Sequence, residues 1–203
     1  MKNPTLAVLL FSLLFMAAPS VWASQWLREE NARRLLERLE GDWSGYYTVS
    51  TPAGQLITRI DVEQSYRLNK DKPDQPVLRG WAAYTTGGQL SHARSETTRD
   101  KTRLKAVIVH DNDREENFVG VVRDNSVTWT PAGEGADKSR EVTEIVLSDD
   151  IGPFIRIKGY ERIRYDDKEH VVVLAGMLRK KPTEKKEEDG LRVAPSVEKR
   201  ITE

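Results

Sequence analysis

The spacing of hydrophobic and polar positions changes period once along the chain. Within residues 24–40, Ala32, Leu35, Leu36 and Leu39 recur at helical spacing, with Arg33, Arg34, Glu37, Arg38 and Glu40 on the other faces. Gly41 follows where a helix would stop. The stripe is narrow and the charge is mixed, which favours a helix packed on the domain behind it over a membrane-surface helix. From Trp43 onward the period is two. Leu56, Thr58, Ile60, Val62, Gln64, Tyr66 and Leu68 alternate with Ile57, Arg59, Asp61, Glu63, Ser65 and Arg67, which predicts a strand with one wet face.

Further strands are predicted at Trp43–Thr51, Val77–Thr85, Gln89–Thr98, Arg103–His110, Asn117–Arg123, Ser126–Thr130, Glu141–Ser148, Phe154–Tyr165 and His170–Arg179. Turn residues such as Gly87-Gly88 and Asp124-Asn125 separate many of them. Short connections without helices make consecutive strands antiparallel neighbours. A meander of this kind removes both of its edges by closing on itself. The expected fold class is therefore all-β, an antiparallel up-and-down barrel of about 8–10 strands spanning residues 41–179. A two-sheet sandwich usually needs long crossovers, and none of these loops is long enough.

The two ends of the chain read differently. Met1-Lys2, the apolar run Leu6–Ala18, and Val21-Trp22-Ala23 have the layout of a secretory signal peptide over residues 1–23, cut after Ala23. The run is too short to span a bilayer. Export to the periplasm or the medium is the expected localisation. No later stretch is long and apolar enough for stable membrane insertion. Residues 180–203 are charged and poor in large apolar groups, so a disordered tail is expected there. The small patch Leu191, Val193 and Val197 leaves open a protein partner docking through that tail.

Composition narrows the chemistry. The 203 residues hold 32 Lys+Arg against 32 Asp+Glu, and this neutral balance argues against nucleic-acid binding. Cysteine is absent, which excludes disulfides, thiolate metal sites and a lipidated N-terminal cysteine. His92, His110 and His170 show no metal-site spacing, so no metal is expected. No Walker loop, nucleophile elbow or dinucleotide fingerprint occurs.

The helix–strand junction Leu39-Glu40-Gly41-Asp42-Trp43-Ser44-Gly45 contains Gly41-x-Trp43, which resembles the first motif of the lipocalin-like barrels of the calycin superfamily, here in a bacterial exported form. The resemblance implies that Trp43 plugs one end of the barrel under the helix. It also implies an Arg from a late strand over that Trp, with Arg162 and Arg179 as candidates. Gly41-x-Trp43-x-Gly45 further resembles the opening of the nitrobindin-like haem barrels, whose proximal His lies on a late strand. His170 stands there and shares strand parity with Val172, Leu174 and Leu178. An ordinary strand-end histidine beside Asp166-Asp167 explains His170 without haem, and no cofactor is assigned.

The strand Gln89–Thr98 is the most unusual. Ser91, Ala93, Ser95 and Thr97 share one face, and His92, Arg94, Glu96 and Thr98 the other. With the small face inward, the strand leaves volume for a ligand. With the charged face inward, His92 and Arg94 form a recognition patch, and His92 with Glu96 could act as acid and base. Surface placement is the default for Arg and Glu, which favours the first arrangement. Tyr66, Trp81, Tyr84, Phe118, Trp129, Phe154 and Tyr160 are the remaining candidates for the cavity lining. The expected function is non-catalytic binding of a small apolar or amphipathic ligand. The alternatives are a packed envelope module, a haem barrel through His170, and a barrel enzyme using His92 and Glu96.

Overall fold

The computed structural model describes residues 25–69, 71, 76–133, 139–165 and 167–182. The signal peptide expected at residues 1–23 and the tail expected beyond residue 182 lie outside them. Helix α1 spans 25–39. Ten strands follow: β1 (Gly41–Ser50), β2 (Leu56–Asn69), β3 (Val77–Thr86), β4 (Gln89–Asp100), β5 (Arg103–His110), β6 (Glu115–Arg123), β7 (Ser126–Pro131), β8 (Arg140–Asp149), β9 (Gly152–Tyr165) and β10 (Lys168–Lys180). Each pairs antiparallel with its sequence neighbours, and β1 pairs with β10, so the sheet is a closed up-and-down barrel. Lys180, expected in the tail, is instead the last residue of β10. Its backbone lies opposite Trp43, and the next amide, Lys181 N–H, donates to Asp42 O at 2.7 Å. A partner strand that begins at Gly41 keeps the ladder going into a segment whose composition is polar.

The α1 stripe closes one end. Ala32, Leu35, Leu36 and Leu39 are at most 3% exposed and form one core with Trp43, Val62, Leu78, Leu104, Val127, Val146, Ile155 and Leu178. These eight come from β1, β2, β3, β5, β7, β8, β9 and β10 respectively, so the plug ties most of the ring together. An isolated helix of this length is marginal in water. Burial of each leucine contributes about 1.5–3 kcal/mol and holds it in place.

Trp43 sits at the centre of the plug with no exposed surface. The cation over its ring is neither Arg162 nor Arg179. It is Lys180, whose Nζ lies 5.3 Å from the ring centroid. Strand parity explains the correction: Lys180 shares the inward face with Leu178, and Arg179 has the opposite parity. Arg179 instead forms two hydrogen bonds with Asp149, at 2.9 and 2.7 Å, on the outside, where Arg162 is also exposed. Gly41 has φ +132°, and a Cβ there would meet the Lys180 side chain at 2.4 Å. The turn from α1 into β1 therefore requires glycine. Gly45 lies two residues beyond Trp43 on the same face, opposite Leu178.

The outer face carries Arg59, Glu63, Arg79, Glu96, Arg156 and Lys158, all exposed. Among the described residues, no helix is long and apolar enough to cross a membrane.

Candidate functional site

Above the plug the barrel interior is not filled. Strand β4 turns its small face inward: Ala93 lies opposite Ala82, Ser95 opposite Gly80 and Thr97 opposite Leu78. With Ala82 and Ala106 beside it, this small wall leaves a partly open cavity of about 140 Å³. A cavity of about 150 Å³ accommodates benzene, so the space suits a ring-sized body.

Aromatic side chains form much of the remaining wall: Tyr47 from β1, Tyr66 from β2, Tyr84 from β3, Phe118 from β6 and Trp129 from β7. Trp129 fits because β6 carries Gly120 opposite it, where a Cβ would stand 2.6 Å from the indole. Four of these five were among the sequence candidates. Tyr47 was not, although it shares strand parity with Trp43 and Gly45.

Other candidates lie elsewhere. Trp81 is 43% exposed on the outer face, beside the inward Ala82. Tyr160 is 36% exposed and likewise adjoins the inward Gly159. Phe154 is buried, but on the outside, with the Arg179 guanidinium 5.3 Å from its ring centre. These three were selected by residue type, whereas strand parity decides which side they face. His92 stacks against Trp81 on the outer face with centroids 5.5 Å apart. Arg94 borders the cavity between Ala93 and Ser95, but its parity turns the side chain outward into solvent. Glu96 reaches Arg79 at 3.6 Å. Four residues of strand separate His92 from Glu96 by about 13 Å, and each has its own partner, so they form no acid–base pair. His170 has the inward parity of Val172 and Leu174. It is exposed next to the β9–β10 turn, outside the cavity lining.

Three further polar groups of the cavity are ones that residue type alone assigns to the surface: Gln64, Arg140 and Glu144. The signal for Glu144 is its alternation with Val142 and Val146. Gln64 Nε2 donates to the Tyr66 hydroxyl at 2.5 Å. Trp129 Nε1 donates to Glu144 Oε2 at 3.2 Å. Burial pushes the Glu144 carboxyl above its usual range, against the Trp129 hydrogen bond and the charge of Arg140. The surface Glu144 retains belongs to the cavity wall, which reconciles partial exposure with this strong desolvation. Burial raises the Tyr47, Tyr66 and Tyr84 hydroxyls as well, so all three are neutral donors at physiological pH. The arrangement offers apolar faces for a ring and hydrogen-bonding groups for a polar end.

No protein-family model matches the chain, and no curated protein matches it in sequence.

Proposed function

We propose that this chain is an exported, lipocalin-like barrel that holds one small amphipathic molecule in its cavity and performs no chemistry on it. The observation that carries this reading is the partly open cavity of about 140 Å³, walled by aromatic rings above a plugged barrel end. The plug supports the lipocalin-like assignment, because Trp43 lies under α1 with a cation above its ring. The leader at residues 1–23 supports export. Affinity would come from burying the ligand's apolar body, and orientation from Arg140, Glu144 and the tyrosine hydroxyls.

Native mass spectrometry on residues 24–203 recovered from a bacterial periplasm tests the reading. An excess over the denatured mass, in the range of a small organic molecule, is expected. A bare mass, together with a tryptophan emission that no small aromatic probe shifts, would leave a structural module acting through its surface.

A further inference from the structure

Arg140 and Glu144 both line the cavity, yet they form no ion pair with each other. Two carboxylates outside the lining, Glu116 and Glu161, share the inward parity of Arg140 and flank it: Nη1 is 3.7 Å from Glu116 Oε2, and Nε is 4.0 Å from Glu161 Oε2. Glu116 also receives Arg114 Nη2 at 2.5 Å and His110 Nε2 at 3.1 Å. Glu144 differs. Its hydrogen bond is the one from the neutral Trp129 indole, and among the described residues no cation stands within ion-pair distance of it. Arg140 acts on it through space only. The other titratable groups turned toward this interior are Tyr47 from β1, Tyr66 from β2, Tyr84 from β3, His110 from β5, Glu116 from β6 and Glu161 from β9; His110 bonds Glu116, and His170, of the same parity on β10, is exposed beside the β9–β10 turn.

Resting on the binding reading above, we infer that the cavity takes a small organic cation, an ammonium on a ring-sized apolar body, with Glu144 as its counter-ion. The ammonium donates to the carboxylate, and the faces of Tyr66, Tyr84 and Trp129 attract its charge through their ring quadrupoles. An anion fits badly. It meets the Glu144 carboxylate and competes with Glu116 and Glu161 for Arg140. Binding of the cation favours the ionised form of Glu144.

The test compares three probes on the intact barrel, shown to be ligand-free by its mass: benzylammonium, benzyl alcohol and benzoate. Calorimetry at pH 7 is expected to show benzylammonium binding at least about tenfold tighter than the other two. Glu144→Gln should abolish most of that preference. Equal or tighter binding of benzyl alcohol or benzoate overturns the cation inference alone. So does a preference that survives Glu144→Gln. Failure of all three probes overturns the binding reading and the inference together.

Discussion

The indole N–H of Trp43 donates to the carbonyl oxygen of Leu39 at 2.8 Å, across the turn from α1 to β1. This bond satisfies an orphan carbonyl at the helix end and fixes the ring under the helix. Trp43→Ala removes the bond and the largest side chain of the plug. A loss of about 3–5 kcal/mol is expected in urea unfolding. Trp43→Phe keeps a ring but leaves a buried carbonyl unpaired, and should cost about 1–3 kcal/mol. An alanine variant as stable as the wild type would contradict the plug.

Two leucines of α1 make a paired test of which face is buried. Leu36 is fully buried and Leu27 is 54% exposed. Leu36→Ala should cost about 2–5 kcal/mol. Leu27→Ala should fall within about 0.5 kcal/mol of the wild type. Equal effects in thermal or urea unfolding would mean that the helix does not dock by this face.

The Asp149–Arg179 pair sets part of the acid stability. The Arg179 guanidinium holds the Asp149 carboxyl down to about 2, below its usual 3.8. A depressed carboxylate stabilises the fold fully above its unfolded value and loses that contribution as pH falls through the folded value. Stability should therefore drop between about pH 4 and pH 2, and Asp149→Asn should flatten this limb. Glu30, held to about 2 by Arg33 and Arg34, retains a share of it in the variant. Urea midpoints measured from pH 2 to 6 read the difference. An unchanged limb in Asp149→Asn would show that the pair contributes nothing.

Glu144 runs the other way. Its folded-state value is raised, so the protonated form is the better tolerated one in the barrel. Its contribution to stability is full below about pH 4.5 and is lost as pH rises through the folded value. Glu144→Gln removes the buried charge while keeping an acceptor for the Trp129 indole. The variant should melt above the wild type at pH 7 and close to it at pH 4. A variant less stable at pH 7 would mean that the carboxylate is paired in solution. Stability gained together with cation affinity lost is the pattern of a site that tolerates strain for function.

Much of the architecture was legible because strand periodicity is local. The period of two located all ten strands to within two residues at each end, and short turns implied antiparallel neighbours. The small face of β4 could also be oriented, because Arg94 and Glu96 are costly to bury. The cavity's charged groups were not legible on the same rule. Default surface placement hides Arg140, which sits inside beside Glu116 and Glu161, and Glu144, which sits inside on the Trp129 indole.

Sequence alone thus determined the strand set, the plug helix and the Gly41-x-Trp43 junction, all of which depend on residues near one another in the chain. Tertiary structure decided which aromatic rings meet, which cation covers Trp43, and that Glu144 faces the cavity with no cation among the described residues within ion-pair distance. Those outcomes depend on the stagger with which β1 closes onto β10 and on which strands lie across the barrel from one another. Side-chain parity along one strand selects a face, and only the closed ring specifies what that face meets.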